Sequence, residues 1–241
     1  MVVPRSVGVV LLAGVVGMLG ATVHAQNPVS SAGSAAVPGA APLPNDVYPD
    51  SRDRLPLPKR DDMDEYGKRI VDGLTPGKQL PATVHSIRLY SPVARPLEEG
   101  DHYLNYETGL PDRLIEIAIL VTAREIDCQY EWTQNEPHAR DQGDSRHIEP
   151  AIIDMIKYDR PVVGLGEKET AIIALGREMF SQRKVSSATF AEVLRLFGRR
   201  GTVDLIELMA NYSAASAELI AFDQQLKEGQ RPLLPRRQKH E

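Results

Sequence analysis

Asp112-Arg113-Leu114-Ile115-Glu116-Ile117-Ala118-Ile119-Leu120-Val121 is the stretch that decides the fold class. It follows Gly109-Leu110-Pro111, so Asp112 is placed to cap a helix, and the residues from Leu114 to Val121 are apolar around most of a helical circumference. Such a segment belongs at the centre of a core. Outward from it, Ala151 to Tyr158, Glu167 to Gln182, Thr189 to Phe197 and Val203 to Leu226 carry apolar residues at three- and four-residue spacing. Thr189 with Glu192 reads as a capping box, and Gly143, Gly164, Gly198 and Gly201 punctuate the elements. Asp61 to Val71 places acids first and bases last, which predicts a surface helix. Leu74 to Pro96, broken by Pro76, Gly77, Pro81 and Pro92, reads as a long irregular connection lining a site or a subunit contact. Strand alternation of useful length is missing, so the sequence predicts an all-α fold, an irregular helical bundle.

Of 241 residues, 42% are hydrophobic and 25% charged, which excludes a wholly disordered, collagen-like or multispanning chain. A single cysteine excludes an intramolecular disulfide, a Cys-x-x-Cys pair and a multi-thiolate zinc site. The net charge of -5 offers no footprint for nucleic acid. Residues 1–25 read as an export signal, with Arg5 at the start, an apolar run from Val7 to Val23, and Val23-His24-Ala25 before the cleavage point. The alternative is an uncleaved anchor, against which Gly14, Gly17 and Gly20 weigh by weakening a permanent helix. Cleavage before Gln26 removes Arg5 and no acid, predicting a periplasmic or secreted protein with no stable membrane insertion. Residues 26–58, rich in Ala, Ser, Gly and Pro, read as a flexible linker. The helical domain then spans 59–235, with a basic tail at 236–241.

Candidate chemistry lies between Glu116 and Arg140. Glu116 interrupts the apolar run; desolvated there it would exchange protons near neutrality, whereas on a stripe with Arg113, Arg124 and Asp127 it would be solvated. If 128–140 is helical, Glu131, Asn135 and His138 share a face at i, i+4 and i+7. Pro137 either kinks that helix or starts a new one capped by Asn135. His138 reads either as a catalytic imidazole or as a surface histidine paired with an acid. Trp132 reads by default as core and Cys128 as a small buried hydrophobe.

Arg124-Glu125, Gln129-Tyr130-Glu131-Trp132-Thr133, His138-Ala139-Arg140 and Gly143 together resemble the signature of the carboxymuconolactone decarboxylase family, which includes the alkyl hydroperoxidase D-like proteins. Glu167-Lys168-Glu169 and Ser186-Ser187-Ala188-Thr189-Phe190 also fit, and the likeness covers residues 60–235. It implies that family's helical bundle, assembled as trimers or hexamers. The all-round apolar helix supports assembly too, since neighbouring subunits would help to bury it.

The peroxidase branch carries Glu, eleven residues, Cys-x-x-Cys, three residues, His. Glu116 and Cys128 match, but Glu131 replaces the second Cys and Asn135 the His, which breaks the dithiol cycle and the proton relay. The decarboxylase branch carries Glu-Trp-x-x-His; Glu131-Trp132 is kept, Asn135 again stands for His, and His138 lies one turn on. The resemblance thus implies cofactor-free, metal-free acid–base chemistry on a small organic acid or lactone. Glu116 or Glu131 would work with His138, Arg124 or Arg140 would hold the carboxylate, and Trp132 and Asn135 would line the ligand. Both arginines can instead pair with Glu125, Asp127 or Asp141. Two alternatives remain: an antioxidant peroxidase using Cys128 with an external thiol, and a non-catalytic helical binding protein.

Overall fold

Helix α4 (Asp112–Ile126) is the element around which the others are arranged. The computed structural model describes residues 42–74, 80 and 82–237. Within them α4 is joined by α1 (Glu65–Leu74), α2 (Val84–Arg88), α3 (Pro96–Tyr106), α5 (Gln129–Arg140), α6 (Pro150–Lys157), α7 (Glu167–Phe180) and α8 (Ser187–Ala221). No strand occurs among the described residues, so the fold is all-α. Residues 1–41 and 238–241, and with them the export signal and most of the basic tail, lie outside the described residues. Among those described, no helix is long and apolar enough to cross a membrane.

Leu114 through Arg124 are buried without interruption, and Ile117, Ala118, Ile119 and Leu120 are wholly inaccessible. Each such Ile or Leu stabilises the fold by about 1.5–3 kcal/mol relative to exposure. α7 and α8 cover most of α4, and α5 and α6 cover much of the rest. One chain therefore buries this helix alone, and its apolar circumference is no reason for assembly. α7 approaches α4 closely at Gly176, where a Cβ would collide with Val121. α4 ends in a Schellman turn: Asp127 takes the left-handed conformation (φ 63°), and the Cys128 N–H donates to the Ala123 carbonyl at 2.9 Å. That turn reverses the chain directly into α5.

α5 is one continuous helix with Pro137 inside it, which decides between the two readings of that residue. The carbonyl of Thr133, deprived of the N–H that Pro137 lacks, accepts from Gln230 Nε2 at 3.5 Å. α8 joins the two helices expected around Gly198–Gly201 into one element with a break at Gly198 (φ 65°, ψ 178°), a conformation open essentially to glycine alone. Thr202 Oγ1 donates to the Gly198 carbonyl at 2.6 Å across the break.

Several boundaries differ from expectation. Ser186, not Thr189, caps α8; its Oγ accepts from the Thr189 N–H at 3.2 Å, while Glu192 is held by Arg195. The surface helix expected at 61–71 starts later, after a 3-10 turn at Arg60–Asp62 and after Asp64, whose carboxylate accepts from the Gly67 N–H at 2.8 Å. α2 and the start of α3 fall in or at the end of the stretch read as an irregular connection, and α3 as a whole was not anticipated. Residues 42–58 are not a free tether. The N–H of Arg54 donates to the Phe222 carbonyl at 2.9 Å, Gln225 N–H donates to the Arg52 carbonyl at 2.8 Å, and Val47, Ser51 and Asp53 are buried. In the basic tail, Arg237 is anchored to Asp159 at 2.9 Å and Glu125 at 3.0 Å.

Candidate functional site

Two adjoining cavities, of about 360 and 190 Å³, open between α2, α3, α4, α5 and α8. They share His85, Asp101, Asn135 and Tyr212, so they form one cleft with a neck. Glu116, from the middle of α4, and Arg146, from the loop after α5, line the larger chamber; Glu131 and Arg88 line the smaller.

Glu116 has no exposed surface. Its Oε2 accepts from Arg146 Nη1 at 3.2 Å, and its Oε1 has no partner among the described residues. Burial pushes the carboxyl up to about 7, and the Arg146 charge and hydrogen bond only partly oppose it. Glu131 behaves alike: burial lifts it to about 7 against the pull of the His85 charge and a hydrogen bond from Asn135. Two carboxyl groups in one cleft are therefore poised to exchange protons near neutrality.

A continuous chain of hydrogen bonds runs around the cleft from Glu116 to His85. Arg146 Nη2 donates to Asn105 Oδ1 at 3.0 Å, and Asn105 Nδ2 donates to Asp101 Oδ1 at 3.3 Å. Asn211 Nδ2 donates to the same oxygen at 2.7 Å, and Asn211 Oδ1 accepts from Arg88 Nη2 at 3.3 Å. Arg88 Nη1 then donates to Glu98 Oε1 at 3.2 Å, and the other Glu98 oxygen is 2.5 Å from His85 Nδ1. Tyr212, whose hydroxyl burial holds well above its ordinary pKa and so protonated, donates to Asn105 Oδ1 at 3.2 Å. Each of these groups fixes the next, so the cleft walls keep one arrangement.

The residues singled out from the sequence fall into three groups. Glu116, Glu131, Asn135 and His138 all line the cleft, so the predicted face of α5 does meet the buried acid of α4. Glu116 is fully buried, which removes the solvated-stripe reading. Asn135 Nδ2 holds Glu131, donating to its carbonyl at 2.8 Å and to Oε2 at 3.1 Å. His138 is exposed at the mouth and pairs with Asp144 at 3.1 Å.

Arg124, Arg140, Trp132 and Cys128 line neither chamber. Arg124 donates to the Pro235 carbonyl at 2.8 Å and to Asp127 at 2.9 Å; Arg140 is held by Glu136 at 2.8 Å and Asp154 at 2.7 Å. Both guanidinium groups are structural clamps. Trp132 is fully buried and its Nε1 donates to Glu136 at 2.5 Å. Cys128 is buried among Val84, Tyr130, Ala215 and Leu219, and burial raises its thiol pKa, the opposite of what a peroxidatic thiol requires.

His85, Arg146, Tyr212, Asp101 and Asn105 escaped the sequence reading. The only local cue near any of them is Thr83, whose Oγ1 accepts from the His85 N–H at 3.3 Å to open α2. Among the described residues, no group of three or more His, Cys, Asp or Glu is placed to hold a metal ion. No protein-family model matches the chain, and no curated protein matches it. What the cleft offers is a cation beside a near-neutral acid in the large chamber, a second near-neutral acid in the small one, and an imidazole in the neck. Such a set has the chemistry to hold an anionic group and to exchange a proton with it.

Proposed function

We propose that the protein is an exported, homo-oligomeric member of the carboxymuconolactone decarboxylase-like class, catalysing cofactor-free decarboxylation of a small organic acid or lactone. One observation carries the reading: Glu116 is buried, near neutral, lines the larger chamber and keeps Oε1 without a partner among the described residues. An unsatisfied buried carboxyl oxygen costs about 1–3 kcal/mol, and a ligand that bonds it recovers that cost.

Arg146, rather than Arg124 or Arg140, is the group placed to hold the substrate's anionic end. When a substrate carboxylate shares the guanidinium, Glu116 loses part of the charge that lowers its pKa and favours its protonated form further. Decarboxylation breaks the bond to a carboxylate of the substrate; carbon dioxide leaves, and the electron pair stays on the conjugated acceptor as an enolate. The Glu116 carboxyl gives that enolate its proton, and water restores the acid. Glu131 in the small chamber is the second proton reservoir.

The test is release of carbon dioxide from carboxymuconolactone by the purified protein, compared with Glu116→Gln. Turnover that disappears in the variant supports the reading. Binding without turnover by the wild type would make this a binding protein instead. Light scattering at micromolar concentration tests assembly, where a trimer or hexamer is expected and a monomer overturns that part. N-terminal sequencing tests export, where a start near Gln26 is expected.

A further inference from the structure

The geometry points to His85 as the imidazole of this site, held through Nδ1 by Glu98 and presenting Nε2 to the ligand in the neck between the two chambers. This rests on the acid–base reading above and adds a further proton-transferring residue, from α2 and outside the 116–140 segment.

His85 belongs to both chambers, so a ligand that reaches from Arg146 toward Glu131 passes it. Of the four residues of the neck, Asn135 does not titrate, and the Tyr212 hydroxyl is held protonated by burial and donates to Asn105. Asp101 is engaged by Asn105 and Asn211. An imidazole can both give and take a proton, and the Nε2 of His85 makes no hydrogen bond among the described residues.

Its orientation is fixed from behind. Glu98 is buried; burial alone would protonate it, but the bond and charge of His85, with those of Arg88, hold it below the usual carboxylate range. Its second oxygen is tied to Arg88, which is itself held by Glu218 at 2.9 Å. An ionised acceptor on Nδ1 fixes the tautomer and leaves Nε2 as the working nitrogen.

The groups facing the ring are Glu98 and Asp101 of α3, Arg88 of α2, Glu131 of α5 and Tyr212 of α8. Burial works against the imidazolium, yet Glu98 and Asp101 outweigh burial and Arg88, so the ring's pKa lies above its ordinary value. The raised pKa favours the protonated ring, which has an Nε2 proton to give. In the reaction, Nε2–H gives its proton to the enolate oxygen formed on loss of carbon dioxide, making the enol, and takes it back as the Glu116 carboxyl protonates the carbon, so the net proton comes from Glu116. Throughout, the ring keeps Nδ1–H on Glu98.

The experiment compares wild type, His85→Gln and Glu98→Gln in three measurements: calorimetric binding of succinate, turnover of carboxymuconolactone, and the pH–rate profile. His85→Gln is expected to lower kcat about a hundredfold with KM nearly unchanged and to remove one limb of the profile. Glu98→Gln, which keeps the side-chain shape and removes the charge behind His85, is expected to move that limb to lower pH, which a merely structural role would not do. Full turnover with an unchanged profile in His85→Gln overturns the inference and leaves Glu116 as the acid. Failure of the wild type to bind succinate and to turn over carboxymuconolactone overturns the acid–base reading and this inference with it. Where a variant does not fold, the imidazole resonance of His85 in the wild type decides: a shift on saturation with succinate supports contact in the neck, and an unmoved resonance overturns it.

Discussion

Glu116 and Arg146 form a half-satisfied pair: one carboxyl oxygen accepts from the guanidinium at 3.2 Å, and the other, also buried, accepts from no group among the described residues. The partners come from different elements, α4 and the loop after α5, and meet where α4 borders the larger chamber. This explains how an acid survives between Ile115 and Ile117. Held near neutrality it spends much of its time uncharged, and its cation stands by for the rest.

Folding stability should fall as pH rises through the range where Glu116 ionises only in the unfolded chain. Its ordinary value is 4.5 and the folded value about 7, so the folded state holds a proton that the unfolded state has lost between them. Taken alone, the shift lowers stability by roughly 3 kcal/mol across that window. Glu116→Gln has no proton to lose and is expected to flatten part of the slope, while Glu131, shifted the same way, keeps the remainder. Urea midpoints from pH 4.5 to 8 measure it; an unchanged slope would mean that Glu116 is ionised in the folded protein.

Arg146→Met should strip the large chamber of its cation. Glu116 is then expected to titrate still higher, and succinate to bind at least thirtyfold more weakly, since truncating one partner of a buried charge pair costs about 2–5 kcal/mol. Carbon-13 titration of the Glu116 carboxyl and calorimetry read the two effects separately. Undiminished binding would place the anion elsewhere in the cleft.

Cys128→Ser should keep most of the activity, because the thiol is buried behind the wall of the smaller chamber, among Val84, Tyr130 and Ala215, and lines neither chamber itself. Peroxide consumption with dithiothreitol as reductant is expected to be slow in both proteins. Rapid consumption by the wild type that vanishes in the variant would promote the peroxidase alternative.

Gly176→Ala should destabilise the fold by about 1–3 kcal/mol, since the added methyl meets Val121 where α7 lies on α4. Gly73→Ala, at an exposed position of α1, serves as the control: its Cβ meets nothing among the described residues, and the gain in helix propensity should stabilise by about 0.5–1 kcal/mol. Thermal melts of both variants distinguish close packing from propensity. Equal and small shifts would show that α7 moves aside without cost.

α4, α6, α7 and α8 were legible because a helical period is written in residues three and four apart, and their apolar stripes are dense. α3 was not, although Pro96 and Glu98-Glu99 form an ordinary helix start, because its buried residues are Glu98, Leu104 and Asn105. A helix that turns polar side chains inward gives no apolar signal. The two outcomes for Pro137 were likewise open, since the group that satisfies Thr133 comes from Gln230, far along the chain.

The sequence by itself determined the all-α class, the central place of 112–121, the face shared by Glu131, Asn135 and His138, and the isolation of the one thiol. These follow from local period, composition and the count of a residue type. Only the tertiary structure decided that Glu116 answers to Arg146, 30 residues away, that Arg88 reaches Glu218 across 130, and that Arg124 and Arg140 face away from the cleft. It also set His138 at the mouth and His85 in the neck. Ion pairs and buried hydrogen bonds join groups that packing brings together, and a charged residue carries no local mark of which partner that will be.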